Sequence, residues 1–210
     1  MEREAYPFTY YTIRQVPTEK RALSIENIRK IMDLKLPKDM VLFRYRNYFM
    51  CSFLLYGMNF TDMAHLKLGN IVNGRIKFRR RKTGKLYDIK ITDQLAEILE
   101  IYLGGKSKED YIFPVIKRDN LALQEREISW ERKRYNRGLK IIGEMCGIEQ
   151  KLTTYVSRHS FATQAMLNDV PLHAISAMLG HSKLNTTQIY LKSLPTNILD
   201  NYNKQLVAAI

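Results

Sequence analysis

The stretch from Lys151 to Leu194, KLTTYVSRHSFATQAMLNDVPLHAISAMLGHSKLNTTQIYLKSL, constrains this chain more than any other. Arg158 opens a run in which Phe161, Ala162, Ala165, Met166 and Leu167 recur with a helical period, so one face of a helix is buried. Leu172, Ile175, Ala177, Met178 and Leu179 make a second apolar stripe. It stops at Gly180, a residue suited to the left-handed position that closes a helix. Ser182 or Asn185 then caps a third helix, which carries Tyr190. Arg158, His181 and Tyr190 therefore stand at the ends of packed helices, where they can converge on one point.

The chemistry of that trio is legible in the residue types. An arginine offers a planar fork of donors that matches two oxygens of a phosphate. A histidine adds a further donor, and a tyrosine hydroxyl can attack phosphorus and hold it as a phosphotyrosyl ester. Asp169 is the only acid in the stretch. Two-metal phosphoryl transfer needs clustered carboxylate ligands, so cations with a hydroxyl nucleophile point to transfer without metal or other cofactor.

The words Tyr155-Val156-Ser157-Arg158, Leu179-Gly180-His181 and Tyr190, with RHSFAT and TTQIYL around them, resemble the C-terminal signature of the tyrosine recombinases, the phage integrase family of site-specific DNA recombinases. The family pattern is His-x-x-Arg, then Leu-Gly-His, then the nucleophilic tyrosine about nine residues on. Tyr155 stands where most members carry histidine, a change associated with integrases of conjugative and mobilisable transposons.

The rest of the chain reads as one catalytic domain. Residues 1–22 show no sustained period and carry two prolines, which suggests a linker from an N-terminal DNA-binding domain that this chain lacks. Ser24 opens a first helix. Met40 to Tyr56 is a long apolar run that reads as a central buried helix ending at Gly57, and Asn59 to Leu66 is a short helix. Residues 69–91 alternate in the manner of strands, with tight-turn pairs at Asn73-Gly74 and Thr83-Gly84, and predict a three-stranded antiparallel sheet. Its second turn presents the basic run RRRKTGK. Thr92 caps a helix through Tyr102, and Tyr111 to Pro114 is a short buried extended piece. A strongly basic helix spans Glu125 to Cys146, and an amphipathic one occupies 197–210. The expected fold is α+β and mainly α, a tyrosine-recombinase-like catalytic domain over residues 23–210 that includes the C-terminal helix.

The resemblance assigns further roles. Lys82 matches the hairpin lysine that protonates the departing 5′-oxygen, and Tyr190 becomes the site of a 3′-phosphotyrosyl link. The family's first arginine normally follows the pair that is Gly57-Met58 here, but Asn59 occupies its place. An uncharged amide cannot replace a bidentate guanidinium, and loss of one such donor costs on the order of 10²- to 10³-fold in comparable sites. Strand alternation puts Arg80 and Lys82 on one face and Arg79 and Arg81 on the other, so Arg80 is the expected replacement. A tyrosine of pKa near 10 is only about 0.1% ionised at pH 7, so Tyr190 needs help to lose its proton. Tyr155 is a weak base and is expected to position groups. His159 is an alternative base, but one residue along a helix turns it about 100° from Arg158. Asp62 matches an acidic position that orients its neighbours, and His65 and His173 read as structural and surface residues.

Lys and Arg exceed Asp and Glu by 34 to 21, a net charge of +13, which suits a polyanionic partner. Arg79, Arg81, Lys85, Arg132, Arg134 and Arg137 are the expected contacts to double-stranded DNA at a recombination site. Cys51 and Cys146 are far apart in apolar helical contexts and read as free thiols of a reducing compartment. No stretch has the length of a membrane span, and a cytoplasmic location is expected. By the resemblance the protein is a monomer in solution and a homotetramer on DNA. A recombinase relic that only binds DNA, and a type IB topoisomerase-like enzyme, are the rival readings. Arg158, Lys82, His181 and Tyr190 argue against the first, and the RHSFAT and Leu-Gly-His words against the second.

Overall fold

The computed structural model describes residues 22–188 together with Asp200, Asn203, Lys204, Val207 and Ala208. The linker expected over 1–22 falls almost wholly outside the described residues. So do Tyr190 and most of the tail helix expected over 197–210.

In chain order the elements are α1 (Ile25–Asp33), α2 (Val41–Leu54), α3 (Phe60–Ala64), a 3-10 turn (Leu68–Asn70), β1 (Ile71–Val72), β2 (Arg75–Arg79), β3 (Leu86–Lys90), α4 (Asp93–Leu103), α5 (Leu121–Met145), α6 (Thr154–Leu167), α7 (Leu172–Leu179) and α8 (Asn185–Gln188). Ser24 caps α1, its side chain accepting from the Asn27 amide. α5 starts four residues before the boundary expected from its charge pattern because Asn120 caps it, accepting from the amides of Ala122 and Leu123. α3 ends at Ala64, where the backbone tightens at His65, two residues short of the expected end.

α2 is the central helix and buries Phe43, Tyr45, Tyr48, Phe49, Met50 and Cys51. α1, α4, α5 and α6 all pack on it. Tyr48 is the hub of an aromatic cluster, edge-on to Phe113 at 5.4 Å and to Tyr135 at 5.7 Å. Such pairs contribute about 0.5–1.5 kcal/mol each beyond the area they bury. Tyr48 and Tyr135 are fully buried in the core, and this burial pushes their hydroxyls well above the usual tyrosine pKa.

The sheet is antiparallel in the order β1-β2-β3, with Ile76 opposite Ile89 and Phe78 opposite Tyr87. Ile76 and Ile89 face the core while Lys77, Arg79, Leu86, Asp88 and Lys90 stay exposed, the alternation of a sheet with one wet face. Phe78 and Tyr87 stack at 4.9 Å. A second, smaller apolar cluster of Ala162, Met166, Ile175 and Leu179 seats α7 on α6. This seat fixes where the C-terminal end of α7 lies, and the candidate site is built there.

Candidate active site

Two left-handed glycines let the backbone reach the centre of the site. Gly57 has φ +66°, and a Cβ there would lie 2.9 Å from Arg158 Cα. Its carbonyl accepts from Arg158 Nη1 at 2.9 Å. Gly180 closes α7 at φ +65°, and a Cβ there would lie 1.8 Å from the Tyr87 hydroxyl. Neither position admits a larger residue without displacing the groups around the site.

Three cations gather at the end of α7, where unpaired carbonyls and the helix dipole favour positive charge. Arg158, on α6 and only 5% exposed, donates from Nη2 to the Leu179 carbonyl at 2.5 Å. Arg80 donates from Nη1 to the carbonyls of Leu179 at 3.1 Å and Gly180 at 2.7 Å. Lys85 Nζ reaches the Ala177 carbonyl at 3.1 Å. Both guanidinium forks thus meet at one oxygen. Asp62 offsets part of this charge, its Oδ2 lying 3.6 Å from Arg80 Nε.

Asn59 plays a structural part at the position where the resemblance expects an arginine. It caps α3, its Oδ1 accepting from the Asp62 amide at 2.8 Å while its Nδ2 donates to the Asp62 carboxylate at 2.6 Å. Asp62 also accepts from the Arg81 amide at 3.1 Å. The carboxylate therefore ties α3 to the hairpin and to Arg80, in keeping with an orienting role.

His181 lies with its Nε2 3.1 Å from Arg158 Nη2 and its Nδ1 2.8 Å from Thr187 Oγ1. A guanidinium can only donate, so the contact is satisfied when Nε2 accepts, which corresponds to the neutral ring protonated at Nδ1. The ring's pKa is lowered to about 4, first by burial and then by Arg158, Arg80 and Lys85. The residue pattern alone makes His181 a donor to phosphate. In this structure the nitrogen that faces Arg158 is placed to accept rather than to donate.

Lys82 sits in the hairpin turn and borders a cleft of about 280 Å³ shared with Asn59, Arg80, Arg132, Tyr155 and Arg158. Strand alternation does not operate here, because β2 ends at Arg79; Arg80 and Lys82 share this cleft, and Arg81 lines it with them. Arg81 borders both this cleft and a second one behind the hairpin, which Arg79 also lines. Tyr155 is 58% exposed, with its ring 5.5 Å from that of His159, one helical turn on. Along α5, Arg132, Arg134 and Arg137 are exposed. That helix is less one-sidedly basic than its sequence suggests, because buried Glu131 pairs with Arg44 at 3.1 Å and with Arg134 at 2.8 Å. His65 contacts the Thr61 carbonyl through Nδ1, and His173 is exposed, as expected of structural and surface residues.

Thr187 and the carbonyls of Gly57 and Leu179 are parts of the site that the sequence does not reveal. Thr187 lies inside the word TTQIYL, where its residue type alone gives no hint of a partner six positions back. A backbone carbonyl leaves no mark in a sequence at all.

A mainly helical domain whose single small sheet delivers an arginine and a lysine to the end of a helix is the architecture of a tyrosine recombinase catalytic domain, the core of enzymes that break and rejoin DNA. A crystal structure of XerA recombinase superposes with a TM-score of 0.63 at 20% identity, covering 92% of this chain and 66% of that one. The Tn1549 transposon integrase in complex with transposon right end DNA gives 0.61 at 14% identity, covering 90% of this chain and 67% of that one. The chain belongs to the phage integrase family, whose sequence profile matches residues 21–197. A tyrosine recombinase of Pseudothermotoga lettingae is 27% identical over 95% of the chain and 71% of its own length. Tyrosine recombinase XerA of Pyrococcus furiosus is 30% identical over 83% of the chain and 58% of its own length. This chain therefore spans a little over half to about seven-tenths of these relatives. No described helix is long and apolar enough to cross a membrane.

Proposed function

We propose that this chain is the catalytic part of a site-specific recombinase that cleaves and rejoins double-stranded DNA through a 3′-phosphotyrosyl link at Tyr190. The observation that carries the reading is the meeting of Arg158 and Arg80 at the Leu179 carbonyl, 2.5 Å and 3.1 Å from their nitrogens. Two forks that share one neutral oxygen are placed to share the oxygens of a phosphodiester, with more charge to gain from it. In this scheme Arg158 and Arg80 hold the non-bridging oxygens, and Arg80 takes the place of the guanidinium missing at Asn59. Tyr190 attacks phosphorus, the phosphorus–5′-oxygen bond breaks, and Lys82 gives its proton to the leaving oxygen. Rejoining reverses these steps with a second strand's 5′-hydroxyl. Tyr155 borders the cleft from α6 as a positioning group.

Arg79, Arg81, Lys85, Arg132, Arg134 and Arg137 supply backbone contacts to the duplex, with α5 and the hairpin on either side of the cleft. The relative XerH is crystallised on a palindromic difH substrate and the Tn1549 integrase on transposon DNA, which supports a DNA recombination site as partner. Assembly is as a tetramer on two duplexes from a monomer in solution. Tyr155, where the common pattern has histidine, favours an integrase of a mobile element.

The test is covalent capture. A nicked suicide duplex, its site selected from a randomised library by binding, is incubated with the protein in EDTA and resolved on a denaturing gel. A shifted protein–DNA band that Tyr190→Phe removes is the expected result. Binding without a band, in this chain and in a longer form carrying a DNA-clamping domain, would leave a DNA-binding relic as the better reading.

A further inference from the structure

Thr187 is completely buried, on α8 and three residues before Tyr190 in the chain. Its hydroxyl has one described side-chain contact, the 2.8 Å bond to His181 Nδ1. The other ring nitrogen faces Arg158 Nη2 at 3.1 Å, and because a guanidinium has no lone pair to offer, Nδ1 must carry the proton. A threonine hydroxyl both accepts and donates. It is therefore one of the few side chains that satisfies Nδ1 in either tautomer. An Asp at this place would fix Nδ1–H permanently, and a Val would satisfy neither form.

We propose that Thr187 is a positioning residue that sets which nitrogen of His181 holds the proton. In the free protein it accepts from Nδ1–H and leaves Nε2 as the partner of Arg158. When a phosphodiester draws Arg158 away, the ring releases the Nδ1 proton to water and takes one from water at Nε2. Thr187 then rotates to donate to Nδ1, and Nε2–H donates to a phosphate oxygen. No net proton is gained or lost. The inference rests on the recombinase reading for its second half only; the tautomer of the free protein stands apart from it.

The electrostatic surroundings favour exchange over simple protonation. Arg158 faces the ring from α6, and Arg80 and Lys85 approach from the hairpin, with the Tyr87 hydroxyl beside Gly180. Asp62, the one described carboxylate of the cluster, pairs with Arg80 rather than with the histidine. An imidazolium among three cations is costly, whereas a neutral ring with its proton moved is not. The link also ties His181 to α8, across six positions of the chain.

The experiment combines two readouts on the whole chain. Nitrogen-15 spectra of His181 in the free protein, and with orthovanadate added, report the tautomer. The suicide-duplex reaction reports cleavage for wild type, Thr187→Ser and Thr187→Val across pH 6–8.5. The expected results are Nδ1–H in the free protein, a shift toward Nε2–H with vanadate, wild-type behaviour in the serine variant, and a ~10- to 100-fold slower cleavage in the valine variant, less than outright loss of a donor. The valine profile should also change shape with pH, which a merely structural loss would not produce. An Nε2–H ring in the free wild-type protein overturns the proposal, and so does a valine variant that cleaves at the wild-type rate. If the valine variant fails to fold, the wild-type spectrum and the serine variant still decide. Correct tautomers with no covalent product from wild type would instead count against the recombinase reading.

Discussion

Replacing Gly180 by alanine probes how the site is held together. The residue has φ +65°, where an alanine costs roughly 1–2 kcal/mol. The new Cβ would stand 1.8 Å from the Tyr87 hydroxyl oxygen and 2.8 Å from the ring carbon that bears it. Ordinary contact needs about 3.5 Å, so the end of the ring must retreat by roughly half that distance. Phe78, stacked on Tyr87 at 4.9 Å with the planes 18° apart, resists the movement. Overpacking of this kind costs about 1–3 kcal/mol, giving a total loss of about 2–5 kcal/mol. Tyr87→Phe removes the closest atom and should recover about 1 kcal/mol of that loss as a coupling between the two sites. Urea unfolding of wild type, both single variants and the double variant at pH 7 measures each corner of the cycle. A Gly180→Ala loss below ~0.5 kcal/mol, or strict additivity with Tyr87→Phe, would refute the packing argument.

Three further outcomes follow from the same geometry. Arg80→Ala should slow covalent capture by about 10²- to 10³-fold, and Arg80→Lys should restore little because a point charge cannot span two oxygens; an unchanged rate in single-turnover cleavage removes Arg80 from the site. His181 has its folded pKa lowered from 6.5 to about 4, so the unfolded chain binds the extra proton first. Its contribution is fully present above about pH 6.5 and is lost as pH falls toward 4, and urea midpoints should show wild type losing stability relative to His181→Asn across that window. Trp130 is the chain's single tryptophan, 49% exposed with Arg126 5.2 Å over its ring on the basic helix α5. DNA titration should change its fluorescence with a midpoint that rises steeply with salt, and a salt-insensitive signal would remove α5 from the interface.

Local signals in the sequence reached most of the frame. The Asn-Gly and Thr-Gly pairs announced both turns of the sheet, and both Asn73 and Gly74 take positive φ there. Gly180 closes α7 as its position promised, and the apolar run of α2 is the buried centre. Of the candidate site, residue types and spacing indicated which side chains to look for, and the structure brings Arg158, His181 and Arg80 together at the end of α7 with Lys82 on the adjoining cleft. What escaped depends on partners distant in the chain. Arg80 lies beyond the end of β2 and reaches carbonyls about a hundred positions away, so neither strand alternation nor any local signal shows what it holds. Asn59 reads as a loss when set against the family pattern, yet its amide caps α3 and anchors Asp62. The basic run of α5 hides Glu131, which pairs locally with Arg134 three residues on and, once α2 lies beside it, with Arg44.

The most direct test of the central claim is to find where, and with which polarity, DNA becomes attached. A suicide duplex labelled on the fragment upstream of the break, and separately on the downstream fragment, is reacted with the protein, digested with trypsin and read by mass spectrometry. The account predicts that the upstream label alone is retained, through its 3′-phosphate, on the peptide that contains Tyr190. Retention of the downstream label, attachment at any other residue, or an adduct that survives Tyr190→Phe would contradict it.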